Sequence, residues 1–265
     1  MITIIFGPPR VGKTAFMTHY INQALFDRER YRKTKRSLLA MNAAGFNYSI
    51  PTVPVVCTNY DVTGKRFGYN KRITRRINPF RLGYKNNFVD VHFIEPYAAI
   101  GITEGQKYFN SRLSRLYPPW QSRYMEQHGH NGYDIYIDVQ RPMLIDVNIR
   151  ELAQFIEIRE KKSVKGKTVW LIRRIPGSAE LDQYLSSGKK DTTCFTEEKV
   201  VIDYDVHQCY DHQMCKPKFF EGFLRGDFNT VEAEPIEESF EGYIKYLQEV
   251  DDELPRGFYG TQGVV

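Results

Sequence analysis

Eight residues near the amino end limit the fold more than anything else in the chain. Gly7-Pro8-Pro9-Arg10-Val11-Gly12-Lys13-Thr14 matches the pattern GxxxxGK[ST]. It stands between an apolar, β-branched run at Ile2 to Phe6 and a segment from about Lys13 to Phe26. In that segment Phe16, Met17, Tyr20, Ile21 and Ala24 recur at helical spacing. A strand, a glycine-bearing loop and a helix in this order let consecutive backbone N–H groups converge on phosphate oxygens, with the helix amino end adding partial positive charge. The expected ligand is a purine nucleoside triphosphate, ATP with Mg²⁺. Gly7, Pro8, Pro9, Arg10, Val11, Gly12, Lys13, Thr14 and Ala15 form the binding set. Lys13 reaches the β- and γ-phosphates, and the Thr14 hydroxyl ligates the metal.

Beyond the loop, the periodicity predicts core strands at Val53–Cys57, Tyr97–Thr103, Ile135–Val139, Thr168–Arg173 and Val200–Val206. Helices are predicted at Asn148–Ile158, from Gln106 to before Pro118, and near Phe240–Leu247; Ser122–His128 is helix or loop. Strands alternating with helices imply an α/β fold with a mostly parallel central sheet flanked by helices. Residues 1–215 are read as one P-loop NTPase domain carrying basic insertions at about 27–50 and 61–90. The first is expected to extend the helix before it and end in a loop, the second to be irregular or a hairpin. Residues 216–265 are read as an acidic tail, partly disordered.

In hydrolytic members of this fold a neighbouring strand usually ends in Asp-Glu: the Asp holds Mg²⁺ through water and the Glu orients the attacking water. Here the strand ends in Thr103-Glu104. Glu104 therefore takes the place of the catalytic base. Thr103 takes that of the metal-side acid, where its hydroxyl can accept from a metal-bound water at the loss of one negative charge. Asp138 on the next strand is a candidate to compensate. Gln140, at the end of that strand, is a candidate to sense the γ-phosphate or hold the water.

Charge is unevenly spread. Residues 1–90 carry 16 Lys/Arg against 4 Asp/Glu, and residues 221–265 carry 3 against 11. The basic segments Arg28–Arg36 and Lys65–Lys85, interleaved with aromatics, suit backbone contact and base stacking on single-stranded nucleic acid, though a solvated face has the same composition. Cys57, Cys194, Cys209 and Cys215 are too few for a disulfide scaffold and fit a reducing cytoplasm. No run of about 18 apolar residues marks a membrane span, and the amino end reads as a strand instead of a leader. His207, Cys209, His212 and Cys215 are zinc-ligand types at a spacing unlike common zinc sites. His128 and His130 flank a glycine in a turn, placed either to hydrogen-bond within it or to face nucleotide or a neighbouring subunit.

Four segments together resemble the zonular occludens toxin (Zot) family, which includes the assembly ATPases of filamentous phages. They are the loop Gly7–Thr14; Pro54 to Cys57 with Thr58-Asn59; Ile102-Thr103-Glu104-Gly105-Gln106 with Phe109 and Arg112; and His128 to Gln140, followed by Ile145-Asp146 and Arg150. The likeness spans about residues 1–160 and touches Tyr210-Asp211. It implies an ATPase related to DNA pumps of the HerA and FtsK type, with the additional strand of that class. Such an enzyme acts in phage assembly and DNA extrusion as a homo-oligomer, with an arginine of one subunit reaching the next subunit's ATP. Arg112 and Arg150 match the family positions for that role; a helix-surface or packing arginine is the alternative for each. Two departures stand out. Thr103 replaces the family's Asp, and the membrane helix that typical members carry after this domain has no counterpart here. The expectation is therefore a cytoplasmic chain, or one docked at the cytoplasmic face of the inner membrane through membrane or phage assembly partners. Two other readings remain: a nucleotide-switched scaffold that hydrolyses weakly or not at all, and a small-molecule kinase using residues 61–90 as a lid.

Overall fold

The computed structural model describes residues 1–63, 74–79, 82–83, 85–86, 89–90, 93–112, 119–164, 167–202 and 206–211. In chain order the strands and helices are β1 (Ile2–Phe6), α1 (Lys13–Leu25), α2 (Arg28–Ala43), β2 (Val56–Thr58), β3 (Asp61–Val62), β4 (Arg75–Arg76), β5 (Lys85–Asn86), β6 (Val89–Asp90), β7 (Ala99–Ile102), α3 (Pro119–Glu126), β8 (Asp134–Val139), α4 (Val147–Glu151), β9 (Ala153–Val164), β10 (Lys167–Ile175), α5 (Ser178–Ser186), β11 (Thr196–Ile202) and β12 (Tyr210–Asp211).

Eight strands form one sheet in the order β11-β10-β9-β1-β8-β7-β2-β4. From β9 to β4 every pairing is parallel, while β9, β10 and β11 form an antiparallel meander on the other flank. The central strand β1 is buried along its whole length, so both faces of the sheet must be covered. Alternation along β1 divides the core. Ile4 and Phe6 join Phe155, Leu181 and Tyr184 on one face. Ile5 joins Phe16, Met17 and Ile21 of α1 and Trp170 on the other.

Three sequence expectations need correction. Residues 148–158 are not one helix. Asp146 caps the short α4 by accepting from the Asn148 N–H, and the chain then runs straight into β9, the parallel neighbour of β1. A strand buried on both faces is apolar at consecutive positions and loses the alternation that identifies half-buried strands. Glu157 interrupts that run. It is 1% exposed and accepts from Tyr184 and Lys189, so its charge is held and not stranded.

The helix expected from Gln106 is a single 3₁₀ turn over Gly105–Lys107. Glu104 before it is left-handed, and Asn110 after it pairs with Ile145, which leaves no length for an α-helix. The strand expected at Val200–Val206 lies earlier, at Thr196–Ile202, so that it can pair with β10.

Smaller differences have equally local causes. Residues 27–50 do not extend α1: Asp27 caps a separate helix by accepting from the Arg30 N–H. The insertion at 61–90 contributes the edge strand β4 and the antiparallel pair β5 and β6. Among the described residues no helix is long and apolar enough to cross a membrane. The tail from 216 onward, the helix expected near Phe240 and most of Lys65–Lys85 lie outside the described residues.

The placement of β9 beside β1 is testable. Phe155→Ala removes a ring that is 1% exposed and is expected to cost about 3–5 kcal/mol, whereas Val201→Ala on β11, 55% exposed, should stay within about 0.5 kcal/mol. Urea denaturation of both variants measures the contrast; equal losses would contradict the placement.

Candidate functional site

The loop between β1 and α1 is built by left-handed backbone. Arg10 and Gly12 have φ of 65° and 87°, and Gly7 has φ of 153°. At Gly7 a side chain is excluded outright, since a Cβ there would lie 2.7 Å from the Ile158 carbonyl oxygen on β9. Arg10 holds a left-handed conformation that costs a non-glycine residue about 1–2 kcal/mol, a local strain of the kind that collects at functional sites. Gly12 precedes α1 and offers no capping side chain, and the first turn contains no acid. The amino-terminal N–H groups of α1 therefore lack the internal partner that Asp27 provides for α2.

Lys13 curls over this loop. Its Nζ donates to the carbonyls of Gly7 (3.2 Å) and Pro8 (3.1 Å). Desolvation lowers its pKa, and the charges of Asp138 and Glu104 act in the opposite sense. Lys13 thus stands in the field of both carboxylates.

Asp138, on β8, is the centre of the site. It is 2% exposed. Its Oδ2 accepts from the Thr14 hydroxyl at 2.7 Å and from the Thr103 hydroxyl at 3.0 Å, and its Oδ1 accepts from the Glu104 N–H at 2.8 Å. The sheet order explains the meeting: β8 lies between β1, which leads into the loop, and β7, which ends beside Thr103 and Glu104. Asn59, just after β2, fixes that end from the far side. Its Oδ1 accepts the Thr103 N–H (2.8 Å) and its Nδ2 donates to the Thr103 carbonyl (3.1 Å). Glu104 is left-handed, with φ of 55°, and its carboxylate accepts from Gln106 Nε2 at 2.6 Å.

A parallel sheet with the phosphate loop after β1, a helix behind it, and β8 between the loop strand and the Glu104 strand decides the fold. The chain has the fold of a P-loop NTPase. No protein-family model matches the sequence, and no curated relative matches it. Among solved structures it is similar to the N-terminal domain of zonular occludens toxin from Neisseria meningitidis, at 19% identity and a TM-score of 0.46 over 79% of this chain and 98% of that one. It is also similar to the genome packaging NTPase B204 from Sulfolobus turreted icosahedral virus 2 in complex with ATP-gammaS, at 10% identity and a TM-score of 0.36 over 78% and 93%. The same NTPase in complex with AMP aligns at 12% identity and a TM-score of 0.32 over 65% and 91%.

Within this P-loop NTPase fold the remaining candidates divide clearly. Gln140 is exposed just beyond the end of β8, on the loop side of the sheet. His128 and His130 precede β8 and lie at the opposite end of the sheet from the loop. His128 Nδ1 is 2.6 Å from the Met125 carbonyl oxygen and closes a turn. Arg112 is exposed, and its N–H donates to Asn110 Oδ1. Arg150 on α4 reaches the sulfur of Met143. The basic run on α2 is mixed in role: Arg28, Arg32, Lys33 and Arg36 are exposed, but Arg30 turns inward to Asp134 and the Tyr97 carbonyl. Of the four zinc-ligand types, His207 lies against Lys161 and Tyr210, Cys209 is buried, and His212 and Cys215 fall outside the described residues. Among the described residues no group of three or more His, Cys, Asp or Glu is placed to hold a metal.

Sequence reasoning did not find Asn59 and Gln106 as side chains that hold the site. Thr58-Asn59 and the Gln of the Glu104 segment were visible only as elements of a resemblance. Their hydrogen bonds span 44 residues in one case and a left-handed turn in the other.

The hydroxyl of Thr14 beside a carboxylate oxygen of Asp138 is a hard-oxygen donor pair of the kind that suits Mg²⁺. Burial, the largest influence, raises the Asp138 pKa. Hydrogen bonds from Thr14, the Glu104 N–H and Thr103 oppose the shift, and the Glu104 charge adds to it. The folded chain therefore keeps this proton to higher pH than the unfolded chain does. Stability falls as pH rises from about 3.9 through the raised value. Asp138→Asn is accordingly expected to raise the thermal midpoint of the metal-free, nucleotide-free protein at neutral pH by roughly 2–4 °C, with the difference closing below about pH 4. Equal midpoints at neutral pH would show that the buried carboxyl carries no such cost.

Proposed function

We propose that the chain binds ATP with Mg²⁺ at Gly7–Ala15 and hydrolyses it, as the motor of phage assembly and DNA extrusion. The observation that supports this best is the Asp138 carboxylate bonded to both Thr14 and Thr103, next to Glu104. The acid missing from the end of β7 has a substitute on β8. Thr103 then acts by donating to Asp138 as well as by facing a metal-bound water. Thr14 and Asp138 would hold Mg²⁺, which would supply charge neutralisation of the phosphates. Glu104 orients the attacking water and takes its proton, while Lys13 and the loop N–H groups stabilise charge on the transferred phosphoryl group. Gln140, exposed beyond the end of β8, is assigned the sensing of the γ-phosphate.

The motor assignment rests on the sequence resemblance to the Zot family. So do a homo-oligomeric state with Arg112 or Arg150 as the arginine reaching a neighbouring ATP, and action at the cytoplasmic face of the inner membrane beside assembly partners. The exposed Arg28, Arg32, Lys33 and Arg36 on α2 supply a basic helix face for DNA backbone.

A second reading, a nucleotide-gated scaffold, is favoured by one observation: the Glu104 carboxylate is already held by Gln106. ATP turnover with and without single-stranded DNA separates the two. The motor reading expects DNA-stimulated turnover that falls about 10²–10⁴-fold in Glu104→Gln and is lost in Lys13→Ala. Stoichiometric ATP binding with no turnover under either condition would leave the scaffold.

A further inference from the structure

On the flank of the phosphate loop away from Asp138 stand groups that the proposed chemistry does not use. The sheet places β8 on one side of β1 and β9 on the other. Asp138 and Glu104 belong to the β8 side, and a divalent cation held there would draw the terminal phosphates to that side. A nucleotide held that way would extend its α-phosphate and nucleoside towards β9 and β10, on the other side of β1.

There, Lys161 and Trp170 are cross-strand partners. A Cβ placed on Gly12 would lie 3.3 Å from Lys161 Cδ and 3.4 Å from Trp170 Nε1. Trp170 is fully buried, packs edge-on against Phe16 of α1 at 5.5 Å, and its indole nitrogen has no hydrogen-bond partner among the described residues. A buried donor left unpaired is costly, and this one sits against loop backbone that must face an anion. Lys161 Nζ lies 5.9 Å from the Trp170 ring centroid and meets Nε2 of His207. Among the described residues no carboxylate pairs with this ammonium. His207 is exposed, and its Nδ1 is 3.0 Å from the Tyr210 hydroxyl.

We propose that Lys161 and His207 form the nucleoside-side wall of the nucleotide site, with Lys161 binding the α-phosphate and His207 contacting the ribose or base. This rests on the loop binding ATP, as proposed above. It adds a second lysine to the site, one that grips the phosphate common to ATP and ADP and so does not depend on the γ-phosphate. Lys161 on β9 and His207 after β11 come together only through the antiparallel meander.

Calorimetric titration of the full chain with ATP, ADP and inorganic tripolyphosphate tests the wall. Lys161→Met is expected to weaken ATP and ADP alike by about tenfold, the scale of one charge-assisted hydrogen bond. His207→Ala is expected to weaken both nucleotides a few fold and leave tripolyphosphate unchanged. The inference is overturned if both variants bind ATP and ADP within twofold of the native chain while Lys13→Ala loses them; the loop reading would then stand and the nucleoside would lie elsewhere. Absence of ATP binding by the native chain would overturn the loop reading and the wall with it.

Discussion

One buried carboxylate joins the parts of the site. Asp138 accepts from the helix that begins at the phosphate loop through Thr14, from the end of β7 through Thr103, and from the backbone of Glu104. Without it, the start of α1 and the end of β7, distant in sequence, would share no side chain. The loop would be set by β1 and its contact with β9, and the candidate base by β7 and Asn59. The position of Glu104 relative to Thr14, on which any water-activation chemistry depends, is fixed through this side chain.

That arrangement runs against the stability of the ligand-free protein. A carboxylate that is 2% exposed is poorly solvated, Lys13 is partly desolvated nearby, Arg10 and Glu104 hold left-handed backbone, and α1 begins without a side-chain cap. The backbone strain remains with any ligand, but the costs at the carboxylate, at Lys13 and at the uncapped helix end are ones that an anion and a divalent cation would relieve. A metal would satisfy the carboxylate, phosphate oxygens would accept from the helix N–H groups, and Lys13 would gain a charged partner in place of two carbonyls. The compensating stability comes from elsewhere, in the two apolar layers that cover β1 and β9 on both faces.

The loop and the helix after it were legible in the sequence because every contact that defines them is local, and the pattern Gly7–Thr14 states the backbone requirement directly. The places of Glu104 and Gln140 just beyond strand ends were legible because strand ends can be located from apolar runs. Asp138 was visible only as one candidate, since its bond to Thr14 spans 124 residues and depends on β8 lying between β1 and β7. β9 was misread because a strand buried on both faces carries no alternation, and the charge of Glu157 within it is held by Tyr184 and Lys189, partners 27 and 32 residues away. His128 and His130 drew attention by composition, yet their place before β8 puts them at the far end of the sheet, a fact of strand direction that residue type does not encode.

The central claim is that the metal-side acid of this site has moved from the end of β7 to Asp138. Electron paramagnetic resonance of Mn²⁺ with ATP tests it most directly, comparing the native chain, Asp138→Asn, and Asp138→Asn combined with Thr103→Asp. The account predicts that Asp138→Asn weakens Mn²⁺·ATP binding by about tenfold or more, and that returning a carboxylate to position 103 recovers a measurable part of the loss. Native-like Mn²⁺·ATP binding by Asp138→Asn would contradict it.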